Sequence, residues 1–242
     1  ADSVLIAETG GLNAMIVDST ALLEQAVRDI VASAFQSAGQ RCSALRVLYV
    51  QEDVADALEH MFFGAMDALR LGDPMATDTD VGPIIDAAAH DKIARYIADA
   101  RAAGRVLHQG AAPVGGYFMA PAALRVAGIA DVREEIFGPV LHIARYKASD
   151  LDAVIDAINA TGYGLTFGVH TRIDARVQHM IERVNVGNLY VNRNQIGAVV
   201  GVQPFGGYGL SGTGPKAGGP LYLRRFLHHA GQDEAPRDDV LR

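Results

Sequence analysis

The chain has 242 residues, half of them hydrophobic and a fifth charged, with a formal net charge of -7. This is the composition of a soluble globular protein with a sizeable core, and its acidic balance gives no nucleic-acid footprint. A single Cys excludes an internal disulfide and a thiolate-cluster metal site, so no metal is expected; a lone thiol points to a reducing compartment, the cytoplasm.

Residues 1–7 form an apolar, strand-like opening without the basic segment and cleavage site of a signal peptide. The opening also lacks an initiator Met, and the expectation is of a chain cut from something longer. Nowhere do about 18 apolar residues run together, so no membrane span is predicted. Over residues 18–37, Leu22, Leu23, Ala26, Val27, Ile30, Val31, Ala34 and Phe35 recur at three-four spacing, which predicts a helix capped by Asp18, Ser19 or Thr20. Residues 45–50 read as a buried strand. Helical patterns follow over 54–71 and 87–103, the second stopped by Gly104. Strands are predicted over 106–109, 139–146, 165–170 and 188–192, with helices over 151–160 and 175–184. Strands separated by helices of this length imply an α/β fold layered around a largely parallel sheet. No internal repeat is visible.

After Asn192 the character changes. Glycines crowd residues 193–220 together with Pro204, Pro215 and Pro220, which predicts a long loop of specific shape. Residues 221–227 read as one last strand, and from 231 onward the polar tail reads as loose.

Two segments carry chemistry. Gly39-Gln40-Arg41-Cys42-Ser43-Ala44 sits between the first helix and the following strand, where α/β folds open a cleft lined by backbone amides. The thiolate is the reactive form of Cys, and the Arg41 charge, local amides or a nearby base would favour it. Glu8 ends the opening run before Gly10 and Gly11, and burial at such a turn would raise its pKa toward that of a general base. The plainer alternatives are a packed core thiol and an exposed turn carboxylate. Under them the chain is a non-catalytic structural module.

Together, Glu8-Thr9-Gly10-Gly11, the segment from Phe35 through Gly39-Gln40-Arg41-Cys42, and Glu134-Glu135-Ile136-Phe137-Gly138-Pro139 resemble the aldehyde dehydrogenase superfamily. The resemblance runs from the first residue to about Leu227. It implies a three-layer catalytic domain over residues 1–192, a substrate-anchoring loop over 193–220, and an oligomerisation-type strand with a loose tail over 221–242. It also implies that Cys42 attacks an aldehyde and that Glu8 activates the water that releases the acyl group. Glu135 would hold the nicotinamide ribose of NAD, and Phe137 would pack beside the nicotinamide. No Gly-x-Gly-x-x-Gly fingerprint lies between a strand and a helix. In the family the nucleotide-binding domain and the Asn that helps hold the oxyanion lie mostly upstream of the Glu8 turn. The chain alone is therefore expected to bind cofactor weakly and to be inactive.

The loop motifs narrow the likeness. Asn192-Arg193, Gly197-Ala198 and Gln203-Pro204-Phe205-Gly206-Gly207 are similar to the branch that oxidises glutamate γ-semialdehyde, the open form of pyrroline-5-carboxylate. More narrowly they resemble the dehydrogenase module of bifunctional proline utilization A proteins. In that branch Gly197 and Ala198 would supply amides to the substrate carboxylate, Ser43 a hydroxyl, and Phe205 an apolar wall. The resemblance further implies a homo-oligomer and, upstream in such proteins, an FAD-dependent proline dehydrogenase domain. Another small aldehyde is the alternative substrate.

Overall fold

Apolar side chains alternate between two faces along the central strands, and that alternation sets the architecture. In β1 (Asn13–Val17), Met15 and Val17 join one core cluster while Ala14 and Ile16 join another. In β2 (Leu45–Gln51), Leu48 and Val50 join the first cluster, Val47 and Tyr49 the second. A parallel sheet buried on both faces needs helices above and below it. Here α1 (Leu23–Phe35), α2 (Glu52–Asp67) and α3 (Ala87–Ala102) cover one face, and α4 (Leu151–Ala160) and α5 (Asp174–Arg183) the other. The computed structural model, which describes residues 5–199 and 201–227, thus has the three α/β layers expected of the sequence.

The remaining strands are β3 (Val106–Gln109), β4 (Ala122–Arg125), β5 (Val140–Tyr146), β6 (Tyr163–Gly164), β7 (Thr166–His170), β8 (Asn188–Val191) and β9 (Tyr208–Gly209). The main sheet runs β3-β4-β5-β2-β1-β7-β8, and every neighbouring pair is parallel except β3–β4. β6 and β9 pair antiparallel and tie the glycine-rich loop to the body.

Several expectations need correction. Residues 221–227 are not a strand; Tyr222–Phe226 is a 3-10 helix in which the Tyr222 and Phe226 rings meet edge to face at 5.6 Å, a contact that an extended backbone would prevent. The N-cap of α1 is Leu22, with no side-chain cap. Asp18 is committed elsewhere: its carboxylate accepts from the Thr20 amide at 2.7 Å and from Arg176 at 2.6 Å. Residues 1–4 of the opening strand, and the predicted loose tail, lie outside the described residues. Residues 5–7 are irregular, and Glu8 makes only a single bridge to Gly212. The interior β1 and the short β4 were not anticipated.

Candidate active site

The loop that leads to Cys42 begins in a backbone that few sequences tolerate. Ser37, Ala38 and Gly39 all take positive φ (57°, 54° and 67°), so the chain reverses sharply as α1 ends. At Gly39 a Cβ would meet the Gly138 carbonyl oxygen at 2.2 Å; only glycine allows that approach. Gln40 then clamps the neighbouring loop, donating to the Pro83 carbonyl at 3.1 Å and accepting from the Ile85 amide at 2.9 Å.

The carbonyls around Cys42 are held by buried side chains. Asn13 Nδ2 donates to the carbonyls of Cys42 and Ala44 at 2.6 and 2.9 Å. Thr166 Oγ1 and Gln195 Nε2 donate to the Ser43 carbonyl at 3.2 and 3.4 Å. With these carbonyls secured, the Ser43 and Cys42 backbone donors serve the sulfur. Cys42 itself reaches solvent, unlike a core thiol.

The electrostatics oppose a resting thiolate. Desolvation of the sulfur pushes the Cys42 thiol above its ordinary range, and the charges of Glu135 and Glu8 push it further; the backbone donors only partly offset them. Arg41 does not supply the help anticipated. Its Nε donates instead to Ser37 Oγ at 3.0 Å. Glu8 and Glu135 thus both act on the one thiol through their charge, although Glu8 is exposed rather than buried at its turn.

Glu135 is fixed by two segments. Oε1 accepts from Arg46 Nη2 at 2.9 Å, and Oε2 accepts from the Gly11 amide at 3.1 Å. A Cβ at Gly10 would lie 2.0 Å from Glu135 Oε2, so the double glycine after Glu8 lets the two loops abut. Phe137, 46% exposed, presents an open ring face, with the Arg46 guanidinium 5.3 Å from its centroid. An open aromatic face beside an anchored carboxylate suits the nicotinamide-ribose end of a dinucleotide.

The loop residues divide. Gln195 is fully buried; its amide N–H donates to Ser33 Oγ at 3.1 Å while its side chain binds the Ser43 carbonyl, and Gly197 and Ala198 follow it two and three residues on in sequence. Gly197 has φ 78° and open space where a Cβ would be. Ser43 is buried. Phe205 is half-buried and bridged to Ala217, which fixes it within the glycine-rich loop itself. Sequence reasoning missed Asn13, Arg46, Thr166 and Gln195. A charge inside the apolar run of β2 was the one available signal, because Arg is seldom buried unpaired. Among the described residues no helix is long and apolar enough to cross a membrane, and no group of three or more His, Cys, Asp or Glu could hold a metal.

The aldehyde dehydrogenase family model matches residues 3–230. The chain belongs to the aldehyde dehydrogenase family. It is 56% identical over 237 residues to the bifunctional protein PutA of Klebsiella aerogenes, covering 95% of this chain and 18% of that protein. A crystal structure of Bradyrhizobium japonicum proline utilization A superposes with a TM-score of 0.90 at 57% identity, over 92% of this chain and 23% of that one. The 1-pyrroline-5-carboxylate dehydrogenase from Thermus, solved with bound NAD, superposes with a TM-score of 0.85 at 38% identity, over 92% of this chain and 43% of that one. The chain therefore spans less than half the length of each of these relatives.

Proposed function

We propose that this chain is the catalytic segment of an L-glutamate γ-semialdehyde dehydrogenase, which oxidises the semialdehyde to L-glutamate with NAD in proline catabolism. The observation that carries the reading is one solvent-reaching thiol, Cys42, within electrostatic reach of Glu8 and Glu135 in a family member. Likeness to proteins named for 1-pyrroline-5-carboxylate oxidation supports the substrate.

Cys42 Sγ attacks the aldehyde carbon and forms a thiohemiacetal; loss of hydride leaves a thioester, which water hydrolyses. Because the thiol is held protonated, attack needs a base, and Glu8 is the carboxylate proposed to take the proton and later to deprotonate the water. Backbone N–H groups at Cys42 and Ser43 stabilise charge at the reacting centre. When bound, NAD supplies the acceptor for the hydride, with Glu135 on its ribose and Phe137 beside the nicotinamide. The amides of Gly197 and Ala198 and the Ser43 hydroxyl hold the substrate carboxylate, and Phe205 packs on its aliphatic part, so that the aldehyde lands on the sulfur.

The wider assignment is a cytoplasmic homo-oligomer, in which FAD would belong only to a separate upstream proline dehydrogenase domain of the proline utilization A kind and not to this segment. The isolated 242-residue chain is proposed to lack turnover, since Glu135 and Phe137 address only one end of the dinucleotide. Steady-state kinetics of the full-length protein test the reading. Glutamate γ-semialdehyde should exceed simple aliphatic aldehydes in kcat/KM by about a hundredfold or more. Cys42→Ala should abolish oxidation, and Glu8→Gln should slow acyl release more than acylation. Near-equal efficiencies across aldehydes would reject the substrate.

A further inference from the structure

Arg46 is a cation buried to 1% exposure, with no role in the scheme above. Asn13 pairs with Leu45 and Ala14 with Val47, so Arg46 is the extra residue of a bulge in β2, and bulges redirect a side chain. Its nitrogens bind two loops at once. On the nucleophile loop, Nη1 donates to the Gly39 carbonyl at 2.8 Å and Nη2 to the Arg41 carbonyl at 3.1 Å. On the second loop, Nη1 reaches the Gly138 carbonyl at 3.3 Å, while Nη2 and Nε meet Glu135 Oε1 at 2.9 and 3.2 Å. The guanidinium also lies against the Phe137 ring, and the Arg46 carbonyl accepts from His142 Nδ1 at 2.9 Å.

We propose that Arg46 is a positioning residue that locks the loop before Cys42 to the loop carrying Glu135 and Phe137 and compensates the Glu135 charge beside the nucleophile. A buried ion pair adds little stability over an apolar residue of the same volume, so packing alone is a weak reason for it. Only a planar fork serves this many acceptors on two segments; a Lys ammonium offers a point charge. Among the described residues, the charges that act on the thiol are Glu135, Glu8 and Arg46, with Arg41 its neighbour in sequence. Without Arg46, the Glu135 carboxylate faces the thiol uncompensated. The inference deepens the proposed function, resting on it only for the part of Glu135 and Phe137 in NAD binding.

The test uses the full-length protein in two arms. Iodoacetamide modification of Cys42, followed by mass spectrometry of its peptide, needs neither substrate nor cofactor, so it reports even where no aldehyde oxidation is found. Arg46→Met should slow alkylation near neutral pH by about three- to tenfold, and Glu135→Gln added to it should restore the rate to within about twofold. An unchanged rate in a folded Arg46→Met variant, or no restoration in the double variant, overturns the proposal. Arg46→Lys decides the case in which Arg46→Met does not fold. It keeps the charge without the fork, so KM for NAD should rise about tenfold with a smaller change in kcat. An unchanged KM overturns the locking role, whereas a wild-type protein with no NAD-linked oxidation would sink the proposed function instead.

Discussion

Cys42 combines access with restraint: solvent reaches it, yet desolvation and two carboxylates keep its proton on. Removing a negative charge near a thiol favours the thiolate, so Glu8→Gln should move the midpoint of Cys42 alkylation to lower pH while it slows turnover. A midpoint unmoved by the substitution would place Glu8 too far away to act as base. The segments that carry these two residues, and Glu135 and Phe137, stood out in the sequence because each is a short motif whose spacing survives in one dimension. Asn13, Thr166 and Gln195 were not. Their importance lies in carbonyls of residues 42–44 that only folding brings to them. The burial foreseen for Glu8 failed because its turn lies beside Gly212 on the surface rather than at the end of a sheet strand.

At the scale of the element, the left-handed turn after α1 leads the chain into the Cys42 loop. Gly39→Ala would add a Cβ both at positive φ and against the Gly138 carbonyl, and should cost about 3 kcal/mol or more in urea unfolding. Loss below about 1 kcal/mol would mean that the loops separate readily. Long periodic helices were easy to read: residues 151–160 fall on α4 and 175–184 within a residue of α5. Short strands resisted for a physical reason. Ala122, Ala123, Leu124 and Arg125 have helical propensity, and only pairing between β3 and β5 makes them a strand. β1 is five residues long between a glycine turn and Asp18, too short to show a period, though it is an interior strand between β2 and β7. Conversely, residues 221–227 carry the apolar and aromatic content of a strand but find no sheet neighbour among the described residues.

The whole molecule couples its core to its site through β5. His142 is fully buried there; Nδ1 donates to the Arg46 carbonyl and Nε2 accepts from Tyr96 at 2.8 Å. Burial first, then the charges of Arg105 and Arg46, pushes the imidazole down to about 4 from an ordinary 6.5. The folded state therefore prefers neutral His142, while the unfolded chain takes up a proton near 6.5. Its stability contribution is complete above pH 6.5 and is lost as pH falls toward 4, by up to about 3 kcal/mol. Urea unfolding of the wild type should weaken over that window, and His142→Asn should flatten the slope; equal slopes in both would remove His142 from the acid response.

The central claim is that the acyl group of the substrate passes through a bond to Cys42. Mass spectrometry of the full-length Glu8→Gln variant, quenched in acid after mixing with glutamate γ-semialdehyde and NAD, tests it most directly. The account predicts a glutamyl thioester on the peptide containing Cys42, accumulated because its hydrolysis is slowed. An acyl adduct on any other residue, or NADH formed with Cys42 unmodified throughout, would contradict it.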